Sequence, residues 1–162
     1  MASIPFDKLG GKLWYNGELV DWDEGRLHIL SHGLHYGSCV FEGERAYGGK
    51  IFKHQEHTDR LFKSAEILGM DIGFSNKELY DAAYTSLEAQ GFTDAYVRPV
   101  AWRGSEMMAI SAQQTTTHVA VICWDMGSYF DPEARMAGIK LQWAKYKRPS
   151  PECAPAHAKA AG

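Results

Sequence analysis

The sequence is short of the residues that mark several protein classes. Cysteine occurs three times in 162 residues, at Cys39, Cys123 and Cys153, an odd number without C-x-x-C spacing. No disulfide scaffold, zinc knuckle or redox pair follows from that, and the thiols are expected to be reduced, as in a cytoplasmic protein. No run of about 18 apolar residues occurs, so no membrane partner is expected. The opening "MASIPFDKLGGK" lacks the apolar core of a signal peptide, which argues for a soluble protein that is not exported. Positive charge is not in excess either. Seventeen Lys and Arg against 20 Asp and Glu give a net charge of -3, with the signs mixed along the chain. Binding to nucleic acid needs a basic face that neutralises phosphates, so no nucleic-acid partner is expected. G-x-G-x-x-G and Walker sequences are absent, which removes the dinucleotide and P-loop signatures.

What is present is ordinary globular material, with 45% apolar and 23% charged residues. The length suits one domain, or one plus the start of another, large enough to bury a core without staples. "KLWYNGELVDW" predicts a hairpin around Asn16-Gly17, and "CVFEGERAYGGKIFKH" a second around Gly48-Gly49. Between them "RLHILSHGLHYGS" holds too much glycine and histidine for a clean strand. "HQEHTDRLFKSAEILG" switches to helical period, with Leu61, Ala65 and Leu68 on one stripe and Gly69 at the end. A second helix is marked by a Ser75/Glu78 capping box, a stripe of Leu79, Ala82, Ala83 and Leu87, and Gly91 as its stop. Strands follow in "AYVRPVAW", "THVAVICW" and "GIKLQWAKY". Pro99 lacks a donor, which predicts an edge strand or a bulge there. Strands, two helices, then strands give an α+β fold with a mainly antiparallel sheet.

Near the end the composition shifts. Residues 125 to 138 predict a linker, and 139 to 146 one further strand. Three prolines then fall within seven residues. Residues 1–130 are expected to form one small α+β domain. Residues 131–162 are expected to be a linker and the start of a larger domain. The tail from about 147 is expected to be mobile or held by a partner chain, for want of its own core.

Several residues suggest chemistry, each with a plainer reading beside it. His28, His32 and His35, like His54 and His57, have spacings that metal ligands use. Glycines interrupt the first set and no carboxylate or thiolate completes it, so no metal is expected. Tyr36, Phe41 and Tyr47 lie along a loop and strand with Glu42-Gly43 between them, which fits either aromatic sheet core or a strand approached by a ligand. Arg60 is a solvated helix-face arginine or an anion clamp. Tyr96 and Arg98, two apart on a strand, share a face and suit a carboxylate unless that face is simply solvated. Lys159 is set in "AHAKAAG". Small neighbours partly desolvate its amine and favour the neutral, nucleophilic form.

In order and spacing, "SHGLHYGSCVFEGERAY", "HTDRLFKSAEIL", "AYVRP" and "AKAAG" resemble the branched-chain amino-acid aminotransferases, within the class IV, fold type IV pyridoxal-phosphate enzymes. The likeness runs over essentially the whole chain and covers about the first half of a family member. It implies the family's small N-terminal domain. It also implies pyridoxal 5′-phosphate as cofactor, Lys159 as its covalent anchor and catalytic base, and Arg60 on its phosphate. Tyr36, Phe41, Tyr96, Arg98 and Tyr129 would line the substrate pocket. Many relatives have a tryptophan where this chain has Met126. The implied reaction moves the amino group of Leu, Ile or Val to 2-oxoglutarate, in a homodimer or higher homo-oligomer. The 162-residue chain alone is not expected to catalyse it. A D-amino-acid or amine transaminase, an aminodeoxychorismate lyase and a catalytically silent fragment stay open as alternatives.

Overall fold

Asn16 and Gly17 both take positive φ, 49° and 106°. That two-residue geometry folds β1 (Lys12–Tyr15) back on β2 (Glu18–Asp21), as the Asn-Gly dipeptide predicts. The Asn16 side chain also accepts the Val119 N–H at 2.8 Å, which fixes the turn to the sheet. The computed structural model describes residues 4–127 and 132–162.

The second hairpin joins β4 (Glu44–Tyr47) to β5 (Lys50–Ile51) through Gly48 and Gly49, again both at positive φ. Between the hairpins lie a short helix, α1 (His32–Tyr36), and β3 (Cys39–Phe41). The helices α2 (His54–Ile67) and α3 (Asn76–Ala89) follow, then β6 (Ala95–Arg103) and β7 (Thr117–Trp124). Among the described residues every strand pairing is antiparallel, in the order β2-β1-β7-β6-β4-β5, with β3 also on β6.

Both helices cover one face of this sheet. Ser75 accepts the Glu78 N–H, and the Glu78 carboxylate accepts the Ser75 N–H in return, so the expected capping box starts α3. Its stripe of Leu79, Ala82, Ala83 and Leu87 is buried with Leu61 and Ala65 of α2 against Val97, Ala101, Val119 and Val121. The buried Ser86 hydroxyl of α3 donates to the Val121 carbonyl at 3.1 Å. Among the described residues no helix is long and apolar enough to cross a membrane.

Three expectations need correction. Pro99 is in neither an edge strand nor a bulge: β6 is central and its register is unbroken. The Pro99 carbonyl accepts the Glu42 N–H at 2.9 Å, but Pro99 has no N–H to return. The cost falls on the neighbour, where the ladder lapses at Glu42-Gly43 and separates β3 from β4. Residues 139 to 146 form no strand. They lie exposed, Trp143 at 98%, with no ladder to join. The linker region contains α4 (Pro132–Ala137). Finally, the end of the tail is held within its own chain, since residues 159 to 161 add to the free edge of β3.

Candidate active site

β3 and β4 keep one register against β6, so side chains alternate across the Glu42-Gly43 break. Val40, Glu42, Glu44 and Ala46 turn toward α2. Phe41 and Gly43 turn to the helix-free face, with Tyr96 and Arg98 of β6. The structure therefore confirms that Tyr96 and Arg98 share a face, and it brings Phe41 to them.

Arg98 is enclosed by rings. Its guanidinium carbon is 4.8 Å from the Phe41 centroid, 5.2 Å from Tyr96 and 6.0 Å from Trp124. Arg98 Nη2 donates to the Tyr96 hydroxyl at 2.9 Å. Gly43 permits this arrangement, because a Cβ there would stand 2.1 Å from the Tyr96 hydroxyl oxygen. Among the described residues no acid pairs with Arg98, and its Nε and the Trp124 Nε1 are buried without a partner. Leaving such donors unmet costs about 1–3 kcal/mol each, which an anion seated here would recover. The group borders an 800 Å³ cleft walled by Val100, Trp102, Ile122 and Trp124, with Cys39 and Ala161 at its rim. Burial pushes the Cys39 thiol up, with nearby Arg98 opposing that shift.

Lys159 reaches the same place from the chain's other end. Its carbonyl accepts the Phe41 N–H at 3.1 Å, and Ala161 N–H donates to the Cys39 carbonyl at 2.8 Å. Ala160 turns inward against the core and the Lys159 side chain outward, its Nζ 4.9 Å from the Phe41 centroid. Among the described residues no acceptor holds that amine.

On the helix side Glu42 is fully buried and receives Arg60 through two bonds, Nε at 2.5 Å and Nη2 at 2.6 Å. His57 Nδ1 adds a third at 2.8 Å. Burial pushes the Glu42 carboxyl up, and the Arg60 and His57 bonds outweigh it, holding the carboxyl below its ordinary value. The Arg60 side chain is 51% exposed, and its Nη1 has no protein partner among the described residues. A guanidinium held on one edge and open on the other, beside a loop bearing a free amine, fits a phosphorylated aldehyde cofactor. One turn along, His54 is sandwiched between the Glu44 carboxylate at 2.6 Å and the Tyr80 carbonyl at 3.0 Å.

Of the candidates named from sequence, Phe41 touches both Arg98 and Lys159, and Arg98 also bonds Tyr96, whereas Arg60 lies on the helix side of the strand, held by Glu42. Tyr36 is half exposed and packs against His32, ring centroids 4.5 Å apart and tilted, rather than on this group. Tyr129 lies outside the described residues. Met126 is half-buried, and an indole does reach Arg98, from Trp124. The histidines are spent on other contacts, His32 on Ser38 and His35 on the Ile29 carbonyl. Trp124 and Ser64 were not foreseen, and neither was the pairing of Glu42 with Arg60 and His57. Only Trp124 left a signal, since Ala120, Ile122 and Trp124 alternate along "THVAVICW".

A model of the family described as amino-transferase class IV matches residues 39–161. The branched-chain-amino-acid aminotransferase of Pseudomonas aeruginosa is 42% identical over 142 residues, 85% of this chain and 46% of that protein. Among solved structures, the T.th. branched-chain amino acid aminotransferase with pyridoxamine 5′-phosphate superposes with a TM-score of 0.88 at 34% identity, covering 94% of this chain and 52% of that one. The branched-chain aminotransferase of Thermoproteus uzoniensis with norvaline gives 0.85 at 32% identity, with 94% and 52% covered. The chain thus spans about half the length of the relatives it matches, and over that span it belongs to the class IV aminotransferases.

Proposed function

We propose that this chain supplies the N-terminal half of a pyridoxal-phosphate-dependent branched-chain amino-acid aminotransferase, acting in the cytoplasm. In this reading residues 1 to about 130 are the small domain, and residues from 131 begin the larger one. The observation that carries it is the seat of Lys159: its backbone is pinned to β3 and to Ser64 of α2, the helix that bears Arg60, while its amine lies over Phe41 of the Arg98 group. Lys159 would hold the cofactor covalently and move the proton at the substrate Cα. Arg60 would hold its phosphate. The cofactor, when bound, supplies the electron-withdrawing ring that makes that Cα–H acidic.

The substrates are a branched-chain L-amino acid and 2-oxoglutarate, taken in turn. Phe41, Tyr96 and Trp124 offer apolar walls for leucine, and the Arg98 guanidinium answers the second carboxylate of 2-oxoglutarate. Tyr36 and Tyr129 would complete the pocket. Leu27, Ile29 and Leu34 stand exposed, as a segment covered in a homodimer would.

The complete protein that carries this chain should form glutamate from 2-oxoglutarate in the presence of L-leucine. Turnover of D-alanine, or pyruvate release from aminodeoxychorismate, without leucine activity would replace this reading with one of its class IV alternatives.

A further inference from the structure

Two adjacent residues hold the backbone of Lys159 and the side chain of Arg60. Phe41 donates its N–H to the Lys159 carbonyl, and Glu42 grips the Arg60 guanidinium. Consecutive Cα atoms are about 3.8 Å apart, so this dipeptide ties the backbone of the Lys159 loop to the side chain that grips Arg60. Its own position is fixed in turn, because Glu42 N–H donates to the Pro99 carbonyl of the central strand.

Stability alone gives a poor reason for Glu42 to be there. A buried carboxylate paired with arginine seldom stabilises a fold more than apolar residues of the same size would. What a two-point grip does supply is orientation. A single bond leaves guanidinium free to swing, whereas bonds to Nε and Nη2 fix its plane and its outward edge. His57 completes the arrangement. Its Nδ1–H is directed at Glu42 Oε2, so its 3.4 Å approach to Arg60 Nη2 is a contact between two donors and not a bond. Arg60 lines a cleft of about 330 Å³ together with Lys53, Glu56 and His57.

We propose that Glu42 is the positioning residue of the cofactor site: it holds Arg60 by one edge so that the other is aimed at the phosphate. The inference rests on the reading that Arg60 takes the phosphate. It requires that Glu42 act only through that group.

The test compares pyridoxal phosphate with pyridoxal, which lacks the phosphate, in absorbance titrations of the apo form of the complete protein. Glu42→Gln should weaken pyridoxal phosphate by about tenfold or more, the size of a charge-assisted contact, and leave pyridoxal within about twofold. Arg60→Lys, a change at a half-exposed side chain that keeps the charge but loses the two-point grip, should show the same phosphate-selective loss. Should Glu42→Gln fail to fold, Arg60→Lys decides. Arg60→Ala tests the underlying reading separately. If Arg60→Ala weakens pyridoxal phosphate while Glu42→Gln or Arg60→Lys binds it like the parent, Glu42 does not position Arg60. Equal loss of both ligands in Glu42→Gln would mean general damage and also overturn the proposal. Unchanged binding in Arg60→Ala would instead remove Arg60 from the phosphate.

Discussion

The Ser64 hydroxyl of α2 accepts the backbone N–H of Lys159 at 2.9 Å, across 95 residues of sequence. Ser64 is fully buried, and Arg60 lies one turn earlier on the same helix face. One helix thus carries both the phosphate-directed guanidinium and the clamp on the lysine loop. Ser64→Ala removes one bond worth about 1 kcal/mol. Hydrogen exchange at residues 159 to 161 of the apo protein should quicken by roughly fivefold, with α3 unchanged. No change at that loop would mean that the β3 pairing alone holds it.

Arg98 separates the two substrates. The oxo acids 2-oxoglutarate and 2-oxoisocaproate share an α-carboxylate and differ in the side chain. Arg98→Ala should lower kcat/KM for 2-oxoglutarate by about 10–100-fold, the worth of one charge-assisted contact, and much less for 2-oxoisocaproate. Equal losses would assign Arg98 to the α-carboxylate or to support of the aromatic group.

The buried ion pairs set opposite pH limits. Burial lowers His54, but the Glu44 bond and the Tyr80 carbonyl outweigh it and leave the imidazole raised above its ordinary 6.5. Its contribution to stability is therefore complete below pH 6.5 and fades as pH rises through the raised value. Glu42, held below its ordinary 4.5, contributes above that pH and loses its contribution as pH falls through the lowered value. Urea unfolding of the parent and His54→Gln should differ most near pH 6 and converge on the alkaline side. A gap that widened with pH would contradict the assignment.

Thiol chemistry should follow burial. Cys153 is exposed, and Cys123 is buried with its pKa pushed up to about 12 by desolvation. Near neutral pH an aromatic disulfide reagent should label Cys153 first, Cys39 slowly and Cys123 only after denaturation. Peptide mapping reads the order. Early label on Cys123 would contradict the core packing.

How much of this was legible in the sequence depended on range. Turns and caps are decided by neighbours, so Asn16-Gly17, Gly48-Gly49 and Ser75/Glu78 could be read directly. Tyr96 and Arg98 share a face by strand period alone. Pro99 misled because a missing donor says nothing about which strand suffers, and here the break fell on β3/β4. The run 139 to 146 has a strand's alternation, but a strand also needs an edge to join. Glu42, His57 and Ser64 are ordinary helix and strand residues until the register turns Glu42 toward α2 and brings Lys159 back across the fold.

The central claim is that Lys159 is the cofactor lysine. Borohydride reduction of the complete protein loaded with pyridoxal phosphate, followed by proteolysis and mass mapping, tests it most directly. The account predicts one pyridoxyl adduct on the peptide containing Lys159, lost in Lys159→Ala. An adduct on Lys145 or Lys147 that persists in Lys159→Ala would contradict it.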